Sequence, residues 1–211
     1  MKTLTFYLVR HGRTEWNEQG LLQGSGNSPL TQQGIDSAKI TGKALSQVPF
    51  VAAYSSVLQR AVETAQYILE DTTTPLFCHK GLNELSFGNW EGKAITDLLS
   101  LPEYQQLREN PVEYLALSNQ GETYDKLAQR VMAAMNEIIK SYSSGNILIV
   151  SHGHTLRMLL ALLNGGTWQN HREKSTSLSN TSISIVRYEQ KENEAGRFFV
   201  ESVNDVSHLT E

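Results

Sequence analysis

The sequence predicts an α/β fold, a three-layer α/β/α sandwich in which helices cover both faces of a mainly parallel central sheet. Short apolar segments rich in β-formers alternate along the chain with segments of helical periodicity. The strand expected at residues 146–150 is a nearly continuous apolar run, which is typical of a strand buried on both faces. No repeat, low-complexity segment or linker interrupts the 211 residues, so we expect one domain over residues 1–211.

Each predicted element has a local reason in the sequence. Thr31 is a candidate N-cap for a helix that runs to about residue 47. The longest helix, at residues 121–143, has one apolar face and is expected to end at Gly145 as a C-cap glycine. The other helices are expected at residues 57–69, 95–110 with a break at Pro102, and 155–163. The strands are expected at residues 3–9, 50–55, 75–78, 146–150, 182–188 and 198–203.

Composition and charge narrow the function classes. The formal net charge is −4 and the basic residues are scattered, which argues against nucleic acid as a partner. Cys78 is the sole cysteine, so no intrachain disulfide can form and a reducing compartment fits. The apolar N-terminal stretch is short and soon meets Arg10, and no run of 18 apolar residues follows. We therefore expect a cytoplasmic protein with no membrane partner.

Polar residues follow three of the predicted strands. Arg10 and His11 come after the first strand, Arg60 lies shortly after the second, and His152 follows the strand at residues 146–150. Ligands of open parallel sheets bind outside the carboxyl ends of the strands, so these side chains are expected to meet in one pocket. Two guanidiniums and two imidazoles would suit a dianion, because arginine matches phosphate oxygens with paired donors.

The same residues meet the chemical needs of phosphoryl transfer. That reaction needs an in-line nucleophile, stabilisation of charge on the phosphoryl oxygens, and an acid for the leaving group. An imidazole such as His11 is a nucleophile when its second nitrogen is held as a donor. Glu84 follows the third predicted strand and is the candidate acid. The sequence has no evident carboxylate cluster for magnesium and no spaced Cys and His pairs for zinc.

Several motifs in order resemble the histidine phosphatase superfamily, the phosphoglycerate mutase-like proteins. A single Arg-His-Gly tripeptide would be weak evidence, but the match runs almost from end to end of the chain. The motifs are LVRHGRTEWN at 8–17, LQG at 22–24, PLTQQG at 29–34, YSSVLQRAVETA at 54–65, LNELSFGNWEG at 82–92, VSHG at 150–153 and NDVSHL at 204–209.

The resemblance implies a role for each matching position. His11 would be phosphorylated, and Arg10, Arg60 and His152 would bind the phosphoryl group. Glu84 would protonate the leaving oxygen and then activate water as a carboxylate. The positions expected to bind substrate are Asn17, Gln23, Gly24 and Gly153, with His154 and Arg13 at the pocket or its entrance. The resemblance implies no metal and no cofactor. Dimers occur in the family, so a homodimer is one expectation for this chain.

Three functions follow, in order of preference. The first is metal-independent hydrolysis of a small phosphomonoester. The second is a cofactor-dependent phosphoglycerate mutase, which returns the phosphoryl group to a sugar acid. Such mutases typically carry a longer, basic insertion, whereas the lid-like insertion expected here at about residues 93–120 contains Lys93 and Arg108 as its only cations. We therefore expect no cation cluster for a second substrate charge. The third is a non-catalytic module that binds phosphorylated ligands.

Overall fold

A computed structural model describes residues 1–210 and contains one six-stranded sheet. The strands are ordered β3-β2-β4-β1-β5-β6; the first four are parallel, whereas β5 is antiparallel to both β1 and β6. This confirms the predicted, mainly parallel α/β sheet. The strands are β1 (Lys2–Arg10), β2 (Phe50–Ser55), β3 (Leu76–Cys78), β4 (Ser144–Ser151), β5 (Ile183–Gln190) and β6 (Arg197–Asp205).

Helices pack against both faces of the sheet, as the three-layer prediction requires. They are α1 (Glu15–Gln19), α2 (Gln32–Ala44), α3 (Gln59–Ile68), α4 (Ile95–Leu98), α5 (Pro102–Glu109), α6 (Tyr124–Ser141) and α7 (Gly153–Leu163). Successive residues of a strand point to opposite faces. Ile147 and Ile149 of β4 accordingly pack into the core beneath α6 and α7, and Leu148 and Val150 into the core beneath α2 and α3.

The helix boundaries confirm most of the local predictions. The Thr31 side chain accepts a hydrogen bond from Gly34 N and caps α2, and Pro102 occupies the first turn of α5 after the predicted break. The expected role of Gly145 is wrong. Helix α6 ends with Tyr142 as its C-cap, and Gly145 lies inside β4 with a φ of 119°. Glycine therefore allows a positive φ at this position of the strand, where the residue pairs with Leu4 of β1.

The register of the parallel strands brings their carboxyl ends to one edge. Arg10 of β1 lies beside Ser151 of β4, and Ser55 of β2 lies beside Val150. The segments that follow β1, β2 and β4 therefore leave the sheet side by side. The residues after Trp90 return over this edge through α4 and α5, where the buried side chains of Tyr104 and Leu107 attach the segment to the core. Within residues 1–210 no helix has the length and apolar character of a membrane span.

Candidate active site

A cavity of about 510 Å³ lies at this edge of the sheet. Its walls come from the segment after β1, the start of α7, the α4–α5 segment and the chain between α7 and β5. The lining residues include Arg10, His11, Asn17, Gln23, Glu84, Gly153 and His154, so the cavity gathers side chains that are distant in the sequence. Arg60 and His152 lie buried behind this wall, and His152 is in ring contact with His11.

His11 has the properties of a neutral nucleophile. Its Nδ1 lies 2.7 Å from the carbonyl oxygen of Gly12, which can only accept, so Nδ1 carries the hydrogen and Nε2 keeps its lone pair. Burial holds the pKa of His11 well below its usual value, and the positive charges of Arg60 and Arg10 lower this pKa further. The imidazole therefore stays unprotonated at neutral pH, as nucleophilic attack requires.

One ring nitrogen of His152, Nδ1, is buried and has no hydrogen-bond partner among residues 1–210. Its ring centre lies 5.1 Å from that of His11, and its Nε2 lies 2.7 Å from the Ser56 hydroxyl. Leu58 N donates to that hydroxyl, whose own hydrogen can then be donated to Nε2. In that arrangement His152 carries its hydrogen on Nδ1, a buried atom without a hydrogen-bond partner among the residues described. Such a donor beside His11 suits a phosphoryl oxygen.

Two buried arginines supply positive charge beside these rings. The Arg60 side chain is almost fully enclosed and donates to the carbonyl oxygens of Gly26 at 2.7 Å and Gly24 at 2.5 Å. Arg10 donates to the carbonyl oxygen of Leu178 at 2.6 Å. Burial lowers the pKa of Arg60 to about 10 and also lowers that of Arg10. Both side chains remain charged, because guanidinium groups keep their proton in proteins. Across residues 1–210, neither Nε atom has a hydrogen-bond partner.

Glu84 is fixed at the start of α7. Its Oε1 accepts from Leu85 N at 2.9 Å and from Thr155 N at 3.0 Å, and its Oε2 accepts from His154 N at 3.0 Å. The Thr155 hydroxyl lies 3.1 Å from Oε1 as well. Backbone N–H groups at a helix N-terminus are natural partners of a carboxylate. The carboxyl group therefore has one orientation, at the wall that also contains His11.

The neighbouring carboxylate, Glu91, occupies a different position. It accepts from Gly26 N at 2.5 Å and from Phe87 N at 3.2 Å, and it is not among the residues that line the cavity. These bonds hold Glu91 behind the loop that carries the carbonyl partners of Arg60. The geometry therefore separates the two carboxylates of this segment into one at the cavity and one that supports a loop.

The predicted substrate-binding residues fall into three groups. Asn17, Gln23, Gly153 and His154 line the cavity, and burial lowers the pKa of His154 to about 4 against the opposing effect of Glu84. Gly24 is not at the wall but accepts from Arg60 through its carbonyl oxygen. Arg13 is not brought to the wall either: it lies 3.5 Å from Glu18 with 43% of its side chain exposed.

Sequence reasoning did not identify the residues that position the site. Ser56 holds His152, and Thr155 holds Glu84. The Thr64 hydroxyl accepts from Gly12 N at 2.9 Å, and the Asn180 side chain donates to the His11 carbonyl oxygen at 2.9 Å. Ser56 and Thr64 belong to the motif at residues 54–65, and Thr155 lies two residues after the motif at residues 150–153, so their location was a usable signal. Asn180 lies in none of the motifs.

A second set of cations lines the same cavity, which corrects the expectation of no cation cluster. Arg108 of α5, Arg157 of α7 and Arg172 of the following segment all contribute to the wall. The insertion indeed supplies just one of them, but α7 and the chain after it supply the others. Within the described residues no group of His, Cys, Asp and Glu side chains has an arrangement that could hold a metal ion.

Comparisons with known proteins agree with this geometry. A family model for the histidine phosphatase superfamily (branch 1) matches residues 6–201. Probable phosphoglycerate mutase GpmB of Yersinia pestis (strain Pestoides F) is 33% identical over 208 residues, which are 98% of this chain and 95% of that protein. The solved structure of Bacillus stearothermophilus YhfR is 31% identical with a TM-score of 0.88, covering 98% of this chain and 100% of its own. The structure of phosphoserine phosphatase from Entamoeba histolytica in complex with 3-phosphoglyceric acid is 26% identical with a TM-score of 0.82. The match covers 98% of this chain and 100% of that chain.

Proposed function

The chain belongs to the histidine phosphatase superfamily, and we propose that it hydrolyses a small phosphomonoester through a phosphohistidine at His11. One observation carries the proposal. His11 is buried and neutral, its Nδ1 is held by a carbonyl oxygen, and it lies at a cavity wall beside two arginines and a second histidine. A lone pair on Nε2 in positive surroundings suits attack on a phosphate dianion.

In the first step, Nε2 of His11 attacks phosphorus, and a P–N bond forms while the P–O bond to the leaving group breaks. Arg10, Arg60 and the Nδ1–H of His152 stabilise charge on the phosphoryl oxygens, as buried donors do most effectively. Glu84 acts as the general acid in this step and gives a proton to the leaving oxygen. The alcohol then departs through the cavity.

In the second step, water attacks the phosphorus of phosphohistidine. Glu84, now a carboxylate, accepts a proton from that water, and a new P–O bond forms. The P–N bond breaks and its electron pair returns to Nε2 of His11. The products are inorganic phosphate and a neutral imidazole, so the site returns to its starting state with Glu84 protonated again.

Phosphoglycerate mutase activity is the second candidate, because the GpmB relative has that name and arginines line the far wall of the cavity. The phosphatase from Entamoeba histolytica is the counterexample, since its structure contains 3-phosphoglyceric acid and its name is that of a hydrolase. A mutase must keep water from its phosphohistidine. A cavity of about 510 Å³ leaves room for several water molecules beside a three-carbon acid, at roughly 30 Å³ for each water, which favours hydrolysis.

The test is to trap the intermediate and follow the fate of the phosphoryl group. Protein mixed with a phosphorus-labelled ester and quenched in alkaline denaturant, where phosphohistidine survives, should carry label at His11 and release inorganic phosphate. His11→Ala should abolish both while circular dichroism stays unchanged. His79→Ala is the matched control, because His79 lies at the surface beside Glu137. Turnover by folded His11→Ala would contradict the proposal. Conversion of 3-phosphoglycerate to 2-phosphoglycerate without phosphate release would establish the mutase instead.

A further inference from the structure

The far wall of the catalytic cavity contains three arginines that no catalytic step uses. We propose that Arg108, Arg157 and Arg172 bind a second anionic group, so that the substrate is a phosphomonoester whose alcohol portion ends in a carboxylate or another phosphate. This inference rests on the proposed function, because the first anionic group is the phosphoryl group bound near His11.

Some N–H groups of these arginines have hydrogen-bond partners in the protein, and others have none. Arg157 donates through Nε to the Ser175 hydroxyl at 2.7 Å and through Nη2 to the carbonyl oxygens of Arg172 and Ser175. Arg172 donates through Nε to the carbonyl oxygen of Arg108 at 3.0 Å. These bonds fix the stems of two side chains. They leave Nη1 of Arg157, both Nη atoms of Arg172 and the whole guanidinium of Arg108 free of hydrogen bonds within residues 1–210.

No acidic side chain of residues 1–210 lies within ion-pair distance of these three guanidiniums. The ion pairs among residues 1–210 involve other cations, and none joins these three guanidiniums to a carboxylate. Burial, and after it the positive charge of Arg172, lowers the pKa of Arg157, as expected of like charges held close together. Repulsion of this kind is unfavourable for the protein alone, and an anionic ligand group would relieve it.

The position of α7 separates this site from the phosphoryl site. Gly153 begins α7 beside Arg10, since a side-chain carbon at Gly153 would lie 3.3 Å from Arg10 Nε. Arg157 is four residues further along the same helical face, which corresponds to a rise of roughly 6 Å. The apolar residues Leu99, Leu107 and Leu178 also line the cavity. The cavity therefore fits an alcohol portion with a hydrocarbon or ring section and an anionic end.

The test uses a series of ω-phosphooxy carboxylic acids of increasing chain length, each with its methyl ester, and the matched α,ω-bisphosphates. The quantity measured is the ratio of kcat/KM for the anionic substrate to that for the ester. We expect one chain length to give a ratio well above unity, and the two anionic series to show which end group is preferred. Arg172→Gln should lower the ratio roughly 10- to 100-fold, as loss of a charge-assisted hydrogen bond does.

Two further variants keep the test decisive. Arg108→Ala should lower the ratio less, because Arg108 is exposed and solvent screens its charge. Arg197→Ala, at an exposed arginine that begins β6, should leave the ratio unchanged. Turnover of every ester without a preference for the anionic series would refute this inference alone, as would a preference that survives in Arg172→Gln. Failure to turn over any phosphate ester would refute the proposed function, and this inference with it.

Discussion

The substitution Glu84→Gln tests the assignment of the leaving-group acid, and the structure shows what else it disturbs. Both carboxylate oxygens accept from N–H groups: Oε1 from Leu85 and Thr155, and Oε2 from His154. A glutamine that keeps its oxygen at the Oε1 position points its NH2 group at His154 N–H. One buried hydrogen bond is then lost, at a cost of about 1–3 kcal/mol. For a chain of this length we expect Tm to fall by roughly 2–12 °C while the protein stays folded at assay temperature.

The kinetic effect should depend on the leaving group. The glutamine amide cannot donate a proton as an acid. An alkyl phosphate has a poor leaving group, the alkoxide, so transfer of its phosphoryl group to His11 should be roughly 10²- to 10⁴-fold slower in the variant. A nitrophenyl phosphate leaves as a stable phenolate and should lose much less in that step. Rapid-quench measurement of phosphohistidine formation with both substrates separates this step from the later attack of water.

Glu91→Gln is the matched control in the same segment. Glu91 is bonded to Gly26 N and Phe87 N outside the cavity wall, so its substitution should slow both substrates by the same factor. An equal loss for both substrates in Glu84→Gln would show that Glu84 is not the acid. A loss that depends on the leaving group in Glu91→Gln would transfer the role to that residue.

Three further predictions follow from the same site. Exhaustive chelation with EDTA should leave the hydrolysis rate unchanged, because buried arginines would supply the positive charge; a loss restored by one divalent ion would refute this. Ser56→Ala removes the hydroxyl beside His152 and should slow phosphohistidine formation roughly 10-fold, whereas Ser55→Ala, whose hydroxyl donates to the Ser56 carbonyl oxygen and not to His152, should not. The free energy of unfolding should fall as pH falls from 7 to 5. His154 and His171 have their pKa lowered to about 4, chiefly by burial, so the unfolded chain binds more protons between about 6.5 and 4. The slope should approach about 1.4 kcal/mol per pH unit for each histidine. Urea denaturation across this range measures it, and a flat profile would contradict the burial argument.

The sequence was most informative where local rules decide the structure. The nearly continuous apolar run of β4 and the apolar face of α6 are local patterns, and both elements formed as expected. The meeting of the segments after β1, β2 and β4 also followed from one rule, that carboxyl ends of parallel strands share an edge. The motifs then located His11 and Glu84 at one cavity wall although 72 residues separate them in the sequence.

Prediction failed where a single capping interaction or a single glycine determines the local conformation. Helix α1 has five residues, too few for helical propensity to reveal, and it forms because Thr14 and Asn17 make a capping box. Gly145 looked like a helix terminator because glycine favours positive φ, but the chain uses that freedom one residue into β4.

The arginines at the far wall show a different limit. Arg157 lies on α7, and an arginine at a helix surface commonly makes an ion pair with a nearby carboxylate. Its partners are instead the Ser175 hydroxyl and backbone carbonyl oxygens of the irregular segment after α7. The path of that segment is not a periodic feature, so sequence patterns do not reveal that it brings Arg172 beside Arg157. Motifs report the residues that the shared chemistry needs, whereas the residues that select a substrate come from the segments whose course the motifs do not determine.

The two ends of the cavity therefore differ in how far their hydrogen-bond donors are buried before an anionic group binds. At the phosphoryl end, the Nε atoms of Arg10 and Arg60 and the Nδ1 of His152 are buried without a partner in residues 1–210. An unsatisfied buried donor costs about 1–3 kcal/mol, so a phosphate dianion that accepts from all three would gain that energy on binding. At the far end, Arg108 is exposed and Arg172 is half-buried, so their free donors remain hydrated and cost less. Binding energy should accordingly concentrate at the phosphoryl group, while the outer arginines discriminate between alcohols of different charge.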